Sequence, residues 1–361
     1  MAGYVYGRQG NPTTAALENK LTLMEGGIAS AAFSTGMAAI SSVFLSLLKS
    51  GDHIVSSAFL FGNTNSLLST VSALGCQVNF VDATDRVNVE AALRDNTRIV
   101  FVETIANPRT QVADLEGIGQ LCSERGILYI VDNTLTSPYL FRPTEVDAGL
   151  VINSLTKYIC GHGNALGGAV TDTGLFDWKR FPNIYSNYRG ADEKLWGITQ
   201  IRKKGLRDIG ATLQAEAAHK IAAGAETLTL RMDRICSNAQ KLTQYFESHP
   251  AIAKVYYPGL EQHPEHQRAC RLFKGYGGIL AIELNSGSDY LGFLRKLKIV
   301  ICSSHLGDNR TLAIPVAETI YWEMGARRRR SMGISDSLIR ISVGIEDIDD
   351  LIDDFKQALS S

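Results

Sequence analysis

The sequence has no apolar run of the roughly 18 residues that a membrane-spanning helix needs, and its start, MAGYVYGRQG, lacks the apolar segment of a signal peptide. It has no charge excess either, because 36 lysines and arginines balance 37 aspartates and glutamates, which predicts no nucleic-acid or membrane partner. The six cysteines are scattered without a CxxC pair and are interpreted as reduced thiols, with no metal site. We therefore exclude the membrane, secreted and fibrous classes and predict a cytoplasmic protein.

The chain is long enough for two packed domains, since it has 361 residues, of which 45% are apolar and 20% charged. From about residue 28 to 170, short runs rich in valine, isoleucine, phenylalanine and tyrosine alternate with amphipathic segments of helix length. This alternation predicts an α/β fold with a largely parallel sheet that helices cover on both faces. The strand candidates here are DHIVSSAF, CQVNFVD, TRIVFVET, ILYIVDN and GLVINS.

The pattern changes in the second half of the chain. A long helical segment is predicted from about Ala211 to His249, with strands AKVYYPG, GGILAIELN, IVICSSH and SLIRISVG after it and a closing helix, DIDDLIDDFKQALSS. Strands that alternate with helices indicate a second, smaller α/β domain. We place the boundary near Thr227, so that residues 11–226 form the large domain and residues 227–361 the C-terminal domain.

Two strand ends carry residues suited to cofactor chemistry. ILYIVDN contains Asp132, and GLVINS is followed by Lys157. Ligands of open α/β sheets bind beyond the carboxyl ends of the strands. Pyridoxal phosphate needs a lysine amine for its Schiff base and a carboxylate that keeps its pyridine nitrogen protonated. The alternative for this pair alone is a structural ion pair between Asp132 and Lys157.

A phosphate group needs donors, which a helix N-terminus supplies. The segment FSTGMAAISS predicts such a terminus, where Gly36 and Met37 open a helix and Gly36 permits close approach of the backbone. Ser154 and Thr156 flank the lysine segment and offer two hydroxyl groups. The alternative is that Ser34 or Thr35 only caps the helix.

These residues lie in motifs that extend over nearly the whole chain. The set resembles the trans-sulfuration (Cys/Met metabolism) family of pyridoxal-phosphate enzymes, which includes cystathionine synthases and lyases, methionine γ-lyases and O-acylhomoserine sulfhydrylases, the last being most similar. The matching segments are YGRQGNPT from Tyr6, STGMAAI from Ser34, GDHIV from Gly51, ETIANP from Glu103, VDNT from Val131, SLTKYICGH from Ser154, VYYPGL from Val255, HLGD from His305 and LIRISVGIED from Leu338.

The resemblance implies the type I fold of these enzymes, similar to aspartate aminotransferase, with pyridoxal 5'-phosphate in the large domain. It implies that Lys157 forms the Schiff base and that Asp132 contacts the pyridine nitrogen. It assigns a ring-stacking position to Phe61, where the family usually has tyrosine. The phosphate cup that the resemblance implies consists of Gly36, Met37, Ser154 and Thr156.

The resemblance also implies an active site shared between subunits. Tyr6 and Arg8 match a pair that reaches the phosphate of a neighbouring subunit, which suits a guanidinium and a phosphate dianion. A homodimer or homotetramer is therefore expected, and residues 1–10 are interpreted as the remnant of a longer N-terminal arm. Asn107 matches a residue near the cofactor and the substrate carboxylate, and Arg340 matches the arginine that binds the substrate α-carboxylate.

Three departures from the family pattern bear on the activity: the short N-terminal arm, Phe61 in place of tyrosine, and changes near His305 and at residues 314–318. Methionine lyases usually carry a cysteine two residues after the stacking tyrosine, whereas this chain has Asn63. We therefore expect γ-replacement on O-acetyl- or O-succinylhomoserine by a sulfur nucleophile, as in methionine biosynthesis. The alternative within the family is a methionine γ-lyase or a cystathionine lyase or synthase. The acyl group and the sulfur donor stay open.

Two proteins of other classes remain as alternatives. A nucleotide-binding dehydrogenase would fit the alternation of strands and helices, but it requires a GxGxxG motif after an early strand, and the sequence has none. A relative without catalytic activity is disfavoured because Lys157 is present. An absorbance band that borohydride removes would separate the enzyme from both.

Overall fold

The computed structural model describes residues 3–285, 287–331 and 333–360. The chain divides into two compact units. The first comprises residues up to 104, 113–160 and 164–226, and the second comprises 105–112, 161–163 and the chain from 227 onward. The two short segments of the second unit lie inside the range that the sequence predicts for the large domain. Within the described ranges, no helix is both long and apolar enough to cross a bilayer.

The first unit is built on a seven-stranded sheet with the order β1-β7-β6-β5-β4-β2-β3. Its strands are β1 (Ala29–Phe33), β2 (His53–Ser57), β3 (Gln77–Val81), β4 (Thr97–Glu103), β5 (Leu128–Asp132), β6 (Leu150–Asn153) and β7 (Gly168–Asp172). The five strands from β3 to β6 pair in parallel, and only the pairs β6–β7 and β7–β1 are antiparallel. The predicted α/β fold with a mostly parallel sheet is confirmed.

Helices of the first unit pack on this sheet and enclose an apolar core. They are α1 (Pro12–Glu25), α2 (Gly36–Leu47), α3 (Gly62–Ala73), α4 (Arg86–Ala92), α5 (Leu115–Arg125), α6 (Ser137–Leu140), α7 (Trp196–Ile201) and α8 (Ala215–Ala225), with a π-helical segment at Arg202–Asp208. Phe44 of α2 meets Phe101 of β4 edge to face at 5.6 Å between ring centroids. Burial of such side chains holds the parallel strands, and with them their carboxyl ends, in fixed positions.

The second unit has a five-stranded sheet with the order β10-β11-β12-β9-β8. Its strands are β8 (Ile252–Tyr256), β9 (Ile279–Leu284), β10 (Ile301–Cys302), β11 (Leu312–Pro315) and β12 (Leu338–Ser342). All neighbours except β10 and β11 are antiparallel. The helices are α9 (Leu228–Glu247), α10 (His266–Leu272), α11 (Tyr290–Lys296), α12 (Gly325–Ser331) and α13 (Ile348–Leu359), and α9 and α13 pack together through Phe246 and Phe355.

Candidate cofactor site

The acid and the lysine lie at the ends of neighbouring parallel strands. Asp132 is the last residue of β5, and its register partner on β6 is Ile152. After β6 the chain turns, and the N–H of Lys157 donates to the carbonyl of Ser154 at 3.1 Å. Because β5 and β6 run in parallel, both residues belong to the same edge of the sheet, as the sequence predicts.

The N-terminus of α2 meets the segment that follows β6. The Thr35 side chain accepts the N–H of Ala38 at 2.9 Å, which leaves the N–H groups of Gly36 and Met37 at the open end of the helix. A Cβ on Gly36 would lie 2.8 Å from the Cβ of Ser154, so only glycine allows this approach. The helix terminus and the Ser154 side chain therefore form a cradle of donors that fits a phosphate group.

Two threonines fix the loops around this cradle. Thr134, to which the sequence analysis assigns no role, donates its N–H to Asp132 Oδ1 at 3.0 Å, and its Oγ1 accepts the N–H of Ser154 at 2.8 Å. The hydroxyl of Thr156 bonds both the N–H of Gly167, at 3.0 Å, and its carbonyl, at 3.1 Å. Thr134 thus joins the two strand ends, whereas Thr156 holds the glycine-rich loop.

Two carboxyl groups face each other where β4 and β5 end. Glu103 is the register partner of Asp132, and its Oε1 accepts the backbone N–H of Phe61 at 2.8 Å. Shielding from water raises the pKa of Asp132 to about 6, although hydrogen bonds from Thr134 offset part of the effect. Burial and the neighbouring Asp132 raise the pKa of Glu103 as well. The edge therefore favours a cationic group, such as a protonated pyridine nitrogen.

Glu25, the last residue of α1, is a further buried acid that the sequence analysis misses. Only 1% of its surface is exposed, and it accepts the side-chain amides of Asn133, at 3.1 Å, and Asn153, at 2.5 Å. These asparagines adjoin Asp132 and Ser154, so one carboxyl group joins the ends of β5 and β6. Burial raises its pKa to about 7.

Replacing Glu25 by glutamine is expected to flatten the pH dependence of stability. Because the folded-state pKa of about 7 lies above the ordinary value of 4.5, the folded state binds the proton more tightly, and stability falls as the pH rises between these values. Glutamine cannot ionise, so it should gain up to ~3 kcal/mol in unfolding free energy over the wild type between about pH 5 and 8. Urea unfolding followed by tryptophan fluorescence measures this, and parallel pH profiles would contradict the assignment.

The other predicted cofactor-binding residues of the first unit, Phe61, Tyr6 and Arg8, lie at its surface. Phe61 is the residue before α3, and 38% of it is exposed. Tyr6 is 59% exposed, and the Arg8 guanidinium lies over its ring at 5.1 Å and donates to the carbonyl of Arg207. An exposed Tyr6 and Arg8 are what a role in a neighbouring subunit would require.

Asn107 and Arg340 belong to the second unit. Arg340 lies on β12 with 1% of its surface exposed, and its guanidinium donates to the carbonyl groups of Ser304, at 3.1 Å, and His305, at 2.7 Å. The Asn107 carbonyl accepts the Tyr321 hydroxyl at 2.6 Å. Arg340 is thus buried and held by backbone oxygens, and the substrate-binding role of both residues stays a prediction.

One cofactor matches what the first unit offers at the strand ends: a site for a cation beside Asp132, an amine at Lys157 and an anion cradle at α2. These features and the fold define a pyridoxal-phosphate-dependent α/β enzyme. The chain belongs to the Cys/Met metabolism PLP-dependent enzyme family, whose profile matches residues 1–360. The resemblance seen in the sequence motifs is confirmed, and so is the cofactor that it implies.

The names of three similar proteins give two different activities. L-Methionine gamma-lyase of Fusobacterium nucleatum subsp. polymorphum is 39% identical over 99% of this chain and 86% of its own length. O-Acetyl-L-homoserine sulfhydrylase of Leptospira meyeri is 34% identical over 99% of this chain and 86% of its own. The crystal structure of a putative O-acetylhomoserine (thiol)-lyase from Campylobacter jejuni, with a pyridoxyl-lysine phosphate, has a TM-score of 0.94 and 31% identity, covering 100% of this chain and 89% of that one.

Proposed function

We propose that this enzyme catalyses γ-replacement on O-acetyl- or O-succinylhomoserine with a sulfur nucleophile, which forms homocysteine. The observation that carries the proposal is the phenylalanine at position 61, where the family usually has a tyrosine. Phenylalanine keeps an aromatic face but has no hydroxyl to protonate a leaving group. A carboxylate leaving group needs little protonation, whereas a thiolate benefits from it more. Phe61 therefore favours ester substrates.

The cofactor, when bound, supplies an electron sink for charge that develops at the substrate carbons. In this proposal Asp132 would hold a proton on the pyridine nitrogen of the bound cofactor, and the Lys157 amine would take up and return the protons of the substrate carbons. Arg340 binds the α-carboxylate, and Asn107 lies near it. The N–H groups of Gly36 and Met37 and the hydroxyls of Ser154 and Thr156 would hold the phosphate, and the Thr156 hydroxyl would exchange its bonds with Gly167 for that contact.

Phe61→Tyr is expected to shift the substrate preference. The wild type should have a higher kcat/KM for O-acetylhomoserine than for cystathionine, and the tyrosine should raise kcat/KM for cystathionine alone by about tenfold or more. Phe61→Leu is the matched control, because it removes the ring without adding a hydroxyl and should affect both substrates alike. A wild type that cleaves the thioether faster than the ester would refute the proposal.

A methionine γ-lyase is the second candidate, because the relative with that name is 39% identical to this chain. Elimination would consume one water and release a 2-oxo acid, ammonia and a thiol from methionine without added sulfide. Turnover rates with methionine and with O-acetylhomoserine distinguish the two, since a lyase turns over methionine at least as fast as the ester. Asn63, in place of the cysteine usual in methionine lyases, supports replacement over elimination.

We also propose a homodimer or homotetramer in which Tyr6 and Arg8 serve the phosphate of a neighbouring subunit. Arg8→Ala and Lys157→Ala should each be inactive alone, but their mixture should regain activity once subunits exchange. A hybrid dimer then contains one site with both groups intact. Native mass spectrometry verifies the exchange, and exchange without recovered activity would place both groups in one chain.

A further inference from the structure

The loop that carries Asn107 is closed by two backbone hydrogen bonds that do not use the Asn107 carbonyl. The N–H of Ala106 donates to the carbonyl of Gln111 at 2.8 Å, and the N–H of Thr110 donates to the carbonyl of Ala106 at 3.0 Å. The Asn107 carbonyl instead accepts the hydroxyl of Tyr321, at 2.6 Å. The loop and Tyr321 belong to the same compact unit, the second one.

Apolar packing and backbone hydrogen bonds fix the Tyr321 ring. Only 2% of the residue is exposed, and it packs in a cluster that includes Val316, Ile334 and Leu338. The Tyr321 N–H donates to the Val316 carbonyl at 3.1 Å, and the Val316 N–H donates to the Leu338 carbonyl at 2.9 Å. Leu338 is the first residue of β12. The hydroxyl that reaches Asn107 is therefore anchored to the sheet of the second unit.

The same part of this sheet carries Arg340, which is predicted to bind the substrate α-carboxylate. Arg340 lies on β12, opposite Ile314 of β11. The segment with Tyr321 follows β11 in the chain. Asn107 and Arg340 are thus tied to the same pair of strands, and the Tyr321 hydroxyl is a direct link between these strands and Asn107.

The side-chain amide of Asn107 has an unused hydrogen-bonding position. Asn107 is 5% exposed, and its Oδ1 is shielded from water and has no hydrogen-bond partner among the described residues. Buried polar atoms without a partner are rare in folded proteins. An amide turned by half a turn presents its NH₂ group at the same place, and that group donates to a carboxylate. The position therefore suits a polar group of a ligand.

We propose that Tyr321 is a positioning residue for the substrate, and that it acts by holding Asn107 through its carbonyl oxygen. The Cα and the carbonyl group of Asn107 lie in one peptide plane, so a bond to the oxygen also fixes the direction in which the side chain leaves the backbone. Without the hydroxyl, this plane can rotate and the amide loses its place beside the α-carboxylate. The inference rests on the proposed role of Asn107 in binding that carboxylate, and it holds for replacement and elimination alike.

The test is the dissociation constant of L-norleucine, an amino acid with an α-carboxylate and no leaving group, titrated into the holoenzyme and followed through the cofactor absorbance. We expect Tyr321→Phe to raise this constant about fivefold, because phenylalanine keeps the ring in its cluster and removes only the donor. Tyr290→Phe is the matched control. The Tyr290 hydroxyl donates to Glu318 Oε1, also at 2.6 Å, and its loss should leave the constant unchanged.

Asn107→Ala and the double variant distinguish positioning from a general loss of structure. If Tyr321 acts through Asn107, the double variant should have the same dissociation constant as Asn107→Ala alone. Effects that multiply in the double variant, an unchanged constant in Tyr321→Phe, or an equal rise in Tyr290→Phe would overturn the proposal. An unchanged constant in Asn107→Ala would instead refute the substrate role of Asn107, and the inference would fall with it. Thermal unfolding verifies that each variant is folded.

Discussion

The Lys157→Ala variant is expected to lose at least about 10³-fold in kcat while the protein stays folded, because the residue that carries the protons is removed. The alanine keeps the backbone N–H that donates to Ser154, so the turn after β6 should persist. Covalent attachment of the cofactor should be lost with the amine. The measurements are kcat and the absorbance band of the attached cofactor before and after borohydride reduction.

An exposed lysine provides the control for this experiment. Lys179 lies on the surface, where its ammonium group pairs with Glu193 at 2.5 Å, and Lys179→Ala should leave both the absorbance band and kcat unchanged. If Lys157→Ala remains yellow, sensitive to borohydride and fully active, another residue carries the cofactor.

Asp132→Asn is expected to keep the covalent linkage to the cofactor but to lower kcat by about 10²- to 10³-fold. Asparagine can still accept the N–H of Thr134 through its Oδ1, so the end of β5 should keep its shape. It has no negative charge to hold the proton on the pyridine nitrogen, and carbanion stabilisation suffers. Steady-state kinetics with an O-acylhomoserine measure the loss, and the cofactor absorbance verifies attachment.

The matched control is the carboxyl group on the neighbouring strand. Glu103→Gln also removes an acid whose pKa burial raises, and it keeps an acceptor for the Phe61 N–H. We expect kcat to change by no more than a few-fold, because Asp132 contacts the cofactor in the proposal and Glu103 does not. A near-normal kcat in Asp132→Asn, or an equal loss in both variants, would contradict the role of Asp132.

Much of the first unit could be predicted because its central strands are nearly continuous runs of β-branched and aromatic residues. The strands β2 to β6 lie where the sequence places them. No strand is predicted from the sequence at β1, β7 or β11, for local reasons. Ala29–Phe33 is mostly alanine, Gly168–Asp172 begins with glycine, and Leu312–Pro315 ends in proline, all of which have low strand propensity. Pairing with distant strands stabilises them instead.

The same distinction applies to the candidate site: a sequence rule selects some of its residues, whereas tertiary packing alone places the others. The rule that ligands bind at the carboxyl ends of strands is sufficient to select Asp132 and Lys157. This rule does not select Glu25, because Glu25 lies at the end of a helix. In the sequence such a glutamate resembles an exposed residue, and only tertiary packing buries it. One signal was available: a carboxylate at the C-terminus of a helix opposes the helix dipole, and such local conflicts occur at functional sites. Thr134 and Glu103 act through backbone contacts that no spacing rule reveals.

The most direct test of the proposed γ-replacement is the product that the enzyme forms from O-acetylhomoserine with and without sulfide. Replacement predicts homocysteine as the main product when sulfide is present, with a rate that depends on the sulfide concentration and little 2-oxo acid. O-Succinylhomoserine, cystathionine and methionine, assayed in parallel, establish the preferred leaving group. A 2-oxo acid as the main product whether or not sulfide is present, together with faster turnover of methionine than of either ester, would contradict the account.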